Sequence, residues 1–296
     1  MTASVTLQRG DVSLAVTDFG GAGPPVLLLH GLAGSSRELL PTAEALADAF
    51  RVLLVDQRGH GCSTRRPTDL SREAHVGDVV HVLESLAPGQ RSVLVGQSMG
   101  AHTAFLAAAA RPDLVDRLVM LEGHVAGDAD PKSAADLGQF FASWPPTFRD
   151  ESHARELLGG EAIVDAWIAD LETTPDGLRP RFDADIMERT IRAVHAPRWQ
   201  EWESLEVPTL AVFARRGMFA SAEKDELLTR RPATRRIDLR GGGHDAHLDA
   251  FDEWISVLRA WLLSPAQRMP SGNIVSPCRA RMAEGDHDGH TRGLTT

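Results

Sequence analysis

The sequence predicts an α/β fold whose mostly parallel sheet is covered by helices on both faces. Short apolar runs, typical of buried strands, alternate with longer segments whose apolar residues recur at helical spacing. The length of 296 residues allows one large domain with an insertion. A hydrophobic content of 43% and a charged content of 24% are those of an ordinary globular protein.

Eight segments are predicted to be strands. A Gly10-Asp11 turn separates the first two, and most of the others are continuous apolar runs, as expected for strands buried on both faces. In chain order the predicted strands are 5–8, 12–18, 26–30, 51–56, 93–95, 117–122, 208–213 and 234–239. The predicted helices are 37–50, with Ser35 or Ser36 as N-cap, followed by 71–86, 101–110, 221–231 and 247–263.

The alternation of strands and helices predicts where the domain is interrupted. It stops after residue 122 and resumes at residue 208, so residues 1–122 and 208–263 are expected to form the core, with residues 123–207 inserted. Residues 264–296 are rich in Gly, Pro, Ser and charge and lack periodicity, which indicates a disordered tail.

Charge and cysteine content limit the partners of the protein. A formal net charge of −10 argues against nucleic acid and anionic membranes. The only cysteines, Cys62 and Cys278, form no disulfide framework. The opening MTASVTLQRG lacks a signal-peptide pattern, and no apolar run approaches the roughly 18 residues of a membrane span. These features predict a cytoplasmic protein that binds neither nucleic acid nor a membrane.

The most informative motif is Gly-Gln-Ser-Met-Gly at residues 96–100. It follows the apolar run 93–95 and opens the alanine-rich segment 101–110. A strand that turns through Gly-x-Ser-x-Gly into a helix is a nucleophile elbow, in which a strained turn exposes the serine hydroxyl. The motif therefore predicts that Ser98 is a nucleophile.

Three further motifs occur in the same chain, each at the end of a predicted strand. They are HGLAGSS at residues 30–36, DQRGHGCS at 56–63 and GGGH at 241–244. With the elbow, and in this order, they resemble the α/β-hydrolase superfamily from about residue 5 to residue 263. The resemblance implies an α/β-hydrolase fold with a mostly parallel eight-stranded sheet. It also implies that residues 123–207 form a helical lid over the site.

A serine hydroxyl needs a base within hydrogen-bond reach, and imidazole titrates near neutral pH. The resemblance points to His244, on the glycine-rich loop, as this base. His247, the nearest rival, falls inside the last predicted helix. His30 matches a motif residue that shapes its loop, and His60 and His102 are expected to satisfy local hydrogen bonds.

The resemblance also assigns an oxyanion hole, which needs two backbone N–H donors aimed at the developing negative charge. In the family, one N–H belongs to the residue after the nucleophile, here Met99, and the other to the residue after the His-Gly pair, here Leu32.

The acid that orients the histidine departs from the common family pattern. Most relatives carry it after the strand that corresponds to residues 208–213, but here Gly217 stands at that position and Ala214 replaces a usual glycine. Some members place the acid after the preceding, sixth strand, where this chain has Glu122. A glutamate at the end of a buried apolar strand is poorly explained as an ordinary surface residue. Glu122 is therefore the predicted acid. A structural ion pair of Glu122 and a Ser–His dyad without an acid are the alternatives.

The predicted lid is rich in aromatic residues, with eight of the sixteen in the chain. About half are needed for packing within a small lid, and the rest are expected to line an apolar pocket over Ser98. Trp144, Phe148, Trp167 and Arg181 are the predicted pocket residues. Arg179 or Arg181 could hold a substrate carboxylate, but Asp183, Asp185 and Glu188 are available for ordinary ion pairing.

These observations predict a serine hydrolase that needs no cofactor or metal and cleaves a small, mainly apolar ester or lactone through an acyl-enzyme. A C–C bond hydrolase and a cofactor-free oxygenase or perhydrolase on the same scaffold are alternatives. A third alternative is a ligand-binding receptor with weak turnover. Ester turnover separates hydrolase from receptor, and oxygen uptake identifies the oxygenase.

Overall fold

The computed structural model describes residues 2–265 and confirms the predicted fold. The part of the predicted tail from residue 266 onward lies outside the described residues. The strands are β1 (Ala3–Arg9), β2 (Val12–Gly20), β3 (Pro25–Leu29), β4 (Arg51–Val55), β5 (Ser92–Gln97), β6 (Val115–Leu121), β7 (Glu172–Thr174), β8 (Gly177–Arg179), β9 (Thr209–Phe213) and β10 (Arg235–Asp238).

Eight of these strands form the main sheet, in the order β1-β2-β4-β3-β5-β6-β9-β10. β1 pairs with β2, and β2 with β4, in antiparallel orientation, whereas all later neighbours are parallel. The carboxyl ends of β5, β6 and β9 therefore lie side by side at one edge of the sheet. In open sheets of this kind, ligands bind at that edge.

Eleven α-helices and one 3-10 helix (Ser36–Leu39) lie within the described residues. The α-helices are α1 (Leu40–Leu46), α2 (Arg72–Leu86), α3 (Met99–Ala110), α4 (Ser133–Ala142), α5 (Glu151–Leu158), α6 (Ala162–Asp170), α7 (Ala184–Val194), α8 (Trp199–Ser204), α9 (Ser221–Arg230), α10 (Ala246–Asp249) and α11 (Phe251–Leu263).

Side chains of the central strands alternate between two apolar layers. Along β3, Leu27 and Leu29 face the layer that contains α2, α3 and α8, and Val26 and Leu28 face the layer that contains α1 and α11. This arrangement explains why the central strands are apolar at every position instead of at alternate positions.

Two predicted helices are each divided in the structure. The predicted helix 37–50 consists of the 3-10 helix and α1, because Pro41 in the first turn of α1 has no N–H to continue a preceding helix. The N-cap is Ser35, whose side chain accepts a hydrogen bond from the N–H of Arg37. The predicted helix 247–263 is interrupted at Ala250, whose φ of −135° and ψ of 39° are not helical.

The segment between β6 and β9, called here the inserted segment, contains α4 to α8. It is not purely helical, contrary to the prediction. β7 and β8 form an antiparallel hairpin around Pro175 and Asp176, and Asp176-Gly177 is a common turn signal that could have revealed it. Within residues 2–265, no helix combines the length and the apolarity that crossing a bilayer requires.

Candidate active site

Ser98 lies where β5 turns into α3, and its φ of 53° falls in the left-handed region. A side chain at Gly100 would overlap the carbonyl oxygen of Leu29, and one at Gly96 would overlap the main chain of Gly100. The two glycines therefore let the strand and helix approach closely around the turn. The local structure is the strand–turn–helix that the motif predicts.

Backbone strain concentrates at this edge of the sheet. Among residues 2–265, the non-glycine residues with positive φ are Ala33 (59°), Ser98 (53°) and Glu122 (47°). Such conformations cost of order 1–3 kcal/mol each and persist only where the surroundings enforce them. All three follow the carboxyl ends of parallel strands that are neighbours in the sheet, so the strain marks this region as a candidate functional site.

Glu122 follows β6 and is completely buried. Its Oε1 accepts a hydrogen bond from the N–H of Ala214 at 2.7 Å, and its Oε2 accepts one from the N–H of Met218 at 2.9 Å. Both donors belong to the segment after β9, where most relatives would carry the acid. The side chain thus crosses from the end of one strand to the loop of the next.

The position of Glu122 explains the glycine at 217. A Cβ at Gly217 would overlap the carboxylate of Glu122. From the sequence, Gly217 shows only that the acid is absent from the position where most relatives carry it. In the structure, it leaves room for an acid that comes from the neighbouring strand.

His244 lies on the loop between β10 and α10, beside this carboxylate. Its Nδ1 is 3.4 Å from Oε2 of Glu122, and its side chain is 27% exposed. The amide nitrogen of Gln97 donates to the carbonyl oxygen of His244 at 3.0 Å. Since Gln97 directly precedes Ser98, the histidine loop is held against the elbow. This role of Gln97 was not predicted, because the position is variable within the Gly-x-Ser-x-Gly pattern.

The loop after β3 lies beside the elbow as well. A Cβ at Gly31 would overlap the side-chain oxygen of Gln97 and lie 3.6 Å from Cβ of Ser98. The N–H of Gly31 donates to Oε1 of the buried Glu38 at 3.3 Å. Gly31 therefore lies close to Ser98, and the next residue is Leu32, the predicted oxyanion donor. Sequence reasoning missed Glu38, whose burial in the 3-10 helix gives no periodic signal.

Comparison with known proteins identifies the fold. The family model for the alpha/beta hydrolase fold matches residues 24–156. The crystal structure of E-2-(acetamidomethylene)succinate hydrolase superimposes with a TM-score of 0.78 at 24% identity, covering 89% of this chain and 100% of that one. The chain therefore has the fold of the α/β-hydrolase superfamily.

Two curated members of this superfamily show how far the likeness extends. The 2-(acetamidomethylene)succinate hydrolase of Mesorhizobium japonicum is 28% identical over 220 residues, which are 72% of this chain and 78% of that protein. The mouse sn-1-specific diacylglycerol lipase ABHD11 is 39% identical over 160 residues, which are 52% of this chain but only 48% of that protein.

The other histidines differ from His244 in their contacts. His247, in α10, is buried 3.6 Å from Glu38. Nδ1 of His30 donates to the carbonyl oxygen of Gly31 at 2.7 Å, as expected for a residue that shapes this loop. His60 contacts the carbonyl oxygen of Arg58 at 3.0 Å. The prediction for His102 is wrong, because neither ring nitrogen has a hydrogen-bond partner among residues 2–265.

The predicted pocket residues fall into two groups. Trp144 and Trp167 pack with Leu32 in a cluster that joins the inserted segment to the loop after β3. Phe148 is completely buried against Val164 in a second cluster, which lies within the inserted segment. A side chain with no exposed surface cannot contact an entering substrate, so the prediction for Phe148 is wrong.

The arginines of the inserted segment pair with different carboxylates from those expected. Arg179 pairs with Glu172 instead of Asp183, Asp185 or Glu188. Arg181 lies 3.5 Å from Glu172 and 3.8 Å from Asp170, and it lines a small cavity beside Ala33. The neighbouring Arg37, in the 3-10 helix, lies 3.3 Å from Asp170. Asp170 thus connects the inserted segment to the element that follows the loop after β3.

The overlap between Gly217 and Glu122 makes a testable prediction. Gly217→Ala should lower the free energy of unfolding by about 1–3 kcal/mol, because Glu122 is held by two backbone donors and cannot move aside. In a Glu122→Ala background the same change should cost less than about 0.5 kcal/mol, giving a coupling energy in a double-mutant cycle. Urea denaturation gives the free energy of unfolding of the wild type, the two single variants and the double variant.

Gly160→Ala is the matched control, since nothing lies within 4 Å of its added Cβ. An equal cost of Gly217→Ala in both backgrounds would contradict the arrangement.

A second prediction concerns Asp170. Burial and the nearby Asp56 raise its pKa to about 6, despite the opposing arginines. Between pH 4 and 6 the folded protein then binds more protons than the unfolded chain, so this group lowers stability as the pH rises. Asp170→Asn removes that loss. The free energy of unfolding of the variant, relative to wild type, should therefore increase by about 2 kcal/mol from pH 4 to pH 7.

Chemical denaturation at four pH values in this range measures the difference. Asp165→Asn, at an exposed position of the same helix, controls for the substitution itself. A difference between Asp170→Asn and wild type that does not vary with pH would contradict the prediction.

Proposed function

We propose that this α/β hydrolase is a serine hydrolase that cleaves a small, mainly apolar ester or lactone. Ser98 is the nucleophile, His244 the general base and Glu122 the acid that orients His244. The observation that carries this proposal is the buried carboxylate of Glu122, 3.4 Å from Nδ1 of the histidine whose loop is bound to the elbow. The diacylglycerol lipase activity named for the mouse relative supports an ester as substrate.

The first step is attack of Oγ of Ser98 on the substrate carbonyl carbon. Glu122 accepts the proton of Nδ1 in a hydrogen bond, which leaves Nε2 of His244 unprotonated and able to remove the proton of the serine hydroxyl. The same imidazole then returns this proton to the leaving alcohol. Contacts of this kind are often long in a ligand-free protein and shorten when substrate binds.

The negative charge on the carbonyl oxygen is stabilised by the backbone N–H groups of Leu32 and Met99. Met99 is the first residue of α3, and the first N–H groups of a helix have no partner within it. Leu32 follows Gly31, which approaches Cβ of Ser98. Such a pair of donors costs no reorganisation during the reaction, and each is worth about 3 kcal/mol.

The second half of the reaction hydrolyses the acyl-enzyme. His244 removes a proton from water, the resulting hydroxide attacks the acyl carbon, and Ser98 leaves with that proton. The aromatic cluster of Trp144, Trp167 and Phe182 packs against Leu32 and Ala33. This apolar surface beside the oxyanion donor supports an apolar acyl or alcohol group in the substrate.

The role of Ser98 is tested with a fluorophosphonate probe and with p-nitrophenyl butyrate. The probe should label the wild type at Ser98, and Ser98→Ala should be unlabelled while it keeps its circular dichroism spectrum. Its kcat should fall by at least 10³, because removal of the nucleophile leaves only binding and the oxyanion hole.

Ser204→Ala, at an exposed serine of α8, is the control and should keep full activity. Undiminished ester hydrolysis by Ser98→Ala would overturn the assignment. Labelling without turnover of any ester or lactone in a panel would favour the receptor alternative.

The role of Glu122 is tested by Glu122→Gln, which keeps the shape of the side chain. Its amide can donate to the imidazole and favour the wrong tautomer, so kcat should fall by about 10²–10⁴, by analogy with the aspartate-to-asparagine change in a serine protease. Asp225→Asn, an exposed carboxylate of α9, should stay within a few-fold of wild type. A nearly unchanged kcat for Glu122→Gln would support a Ser–His dyad instead.

A further inference from the structure

Arg72, in the first turn of α2, is an unusual buried cation. Only 1% of its surface is exposed, and its Nε and Nη1 have no hydrogen-bond partner among residues 2–265. Its Nη2 donates to the hydroxyl oxygen of Thr103 in α3. Burying a guanidinium without a carboxylate is costly.

Another buried arginine shows how such a group is normally satisfied. Arg231 donates to the carbonyl oxygens of Leu205 and Val207 at 2.9 and 2.8 Å, and to the hydroxyl of Thr234 at 2.9 Å. Arg231 therefore joins loops on the far side of the domain. Arg72 has one hydrogen-bonding contact in the described part of the chain, and that contact leads toward the candidate active site.

The hydroxyl of Thr103 connects Arg72 to Gln57. It donates to Oε1 of Gln57 at 2.9 Å, with the carbonyl oxygen of Met99 as a second acceptor at 3.0 Å. The side-chain amide of Gln57 donates in turn to the carbonyl oxygen of His30 at 2.7 Å. All these groups are buried, and hydrogen bonds in such a chain polarise one another.

The chain of hydrogen bonds ends at the peptide that joins Gly31 to Leu32. The backbone N–H of Gln57 donates to Nε2 of His30 at 2.9 Å, which places the ring proton on Nδ1. Nδ1 donates to the carbonyl oxygen of Gly31 at 2.7 Å. In a planar trans peptide the N–H points opposite to the C=O, so this bond sets the direction of the N–H of Leu32.

We propose that Arg72 is a positioning residue for the oxyanion donor Leu32, acting through Thr103, Gln57 and His30. The inference rests on the proposed function, since it gives Leu32 the role of oxyanion donor. Arg72 does not touch the reacting atoms. Its charge orients the Thr103 hydroxyl toward Gln57, and the ordered amide then holds His30 against the peptide.

Burial and the nearby Arg198 lower the pKa of Arg72 to about 9, so the guanidinium keeps its charge at neutral pH. Burial, with Arg72 next in effect, lowers the pKa of both His75 and His102 well below the ordinary range, so both rings are neutral. Glu73 is close enough to oppose this lowering of the Arg72 pKa, but its carboxylate is bound to Arg198 at 2.8 Å. No neighbouring carboxylate therefore draws the guanidinium away from Thr103.

The test compares two matched pairs of variants. Thr103→Val removes the hydroxyl at nearly constant volume, and Thr103→Ser keeps it. Arg72→Met and Arg231→Met each remove a buried guanidinium, but only the first is connected to the loop after β3. The measurements are kcat and KM for p-nitrophenyl butyrate and the inhibition constants of a boronic acid and of butyrate. The boronic acid forms a tetrahedral adduct with an oxygen in the oxyanion hole, whereas butyrate does not.

Thr103→Val and Arg72→Met should lower kcat by about 10–100-fold. Complete loss of an oxyanion donor lowers kcat by about 10²–10³-fold, and the effect here is smaller because the N–H of Leu32 is misaligned and not removed. KM and butyrate inhibition should stay within twofold, and boronic acid inhibition should weaken by the same factor as kcat. Thr103→Ser should stay within threefold of wild type. Arg231→Met should keep kcat although its melting temperature falls.

Unchanged kcat and boronic acid inhibition in Thr103→Val would overturn the inference, as would equal losses in Thr103→Val and Thr103→Ser. If Arg72→Met does not fold, the two Thr103 variants decide. Failure of the proposed function gives a different result: ester hydrolysis would persist in Ser98→Ala, or the wild type would hydrolyse no ester. Hydrolysis that depends on Ser98 but not on Thr103 would reject this inference alone.

Discussion

The candidate site depends on one buried carboxylate that joins three loops. Glu122 leaves the end of β6, accepts backbone N–H groups of Ala214 and Met218 after β9, and lies 3.4 Å from Nδ1 of His244. Burying a carboxylate costs free energy unless its oxygens accept hydrogen bonds, so these contacts together stabilise Glu122 in its buried position. The loops that meet at Glu122 are thereby held in one arrangement.

The parallel sheet makes this arrangement possible. Three non-glycine residues with positive φ follow three of its strands, and each holds a strained conformation next to the others. The sheet is buried on both faces, so its strand ends are rigid and can enforce that strain. Gln97 and Glu38 add polar contacts between the loops. The geometry of the candidate site is thus a property of the sheet edge as a whole.

The inserted segment contributes in a different way. Its aromatic residues divide between packing within the segment, as for Phe148, and contact with the loop after β3, as for Trp144 and Trp167. The salt bridge of Arg37 to Asp170 adds a polar connection at the same place. Both contacts fall on the segment that carries the proposed oxyanion donor. The proposed donor therefore lies between the contacts of the inserted segment and the hydrogen bonds that begin at Arg72.

The sequence by itself determined the eight-stranded sheet, the elbow at Ser98 and the place of His244 on a glycine-rich loop. These features depend on local signals, namely apolar runs, the spacing of glycines and residues at strand ends. It also located Glu122, since this acid follows a buried apolar strand at the place where, by the resemblance, some family members carry their acid. Only the tertiary structure revealed why Gly217 is a glycine, that Phe148 is internal, and that Gln97, Glu38 and Arg72 connect to the site. Their partners are distant in the sequence, and a contact between distant residues follows from how strands and helices pack, which no local pattern records.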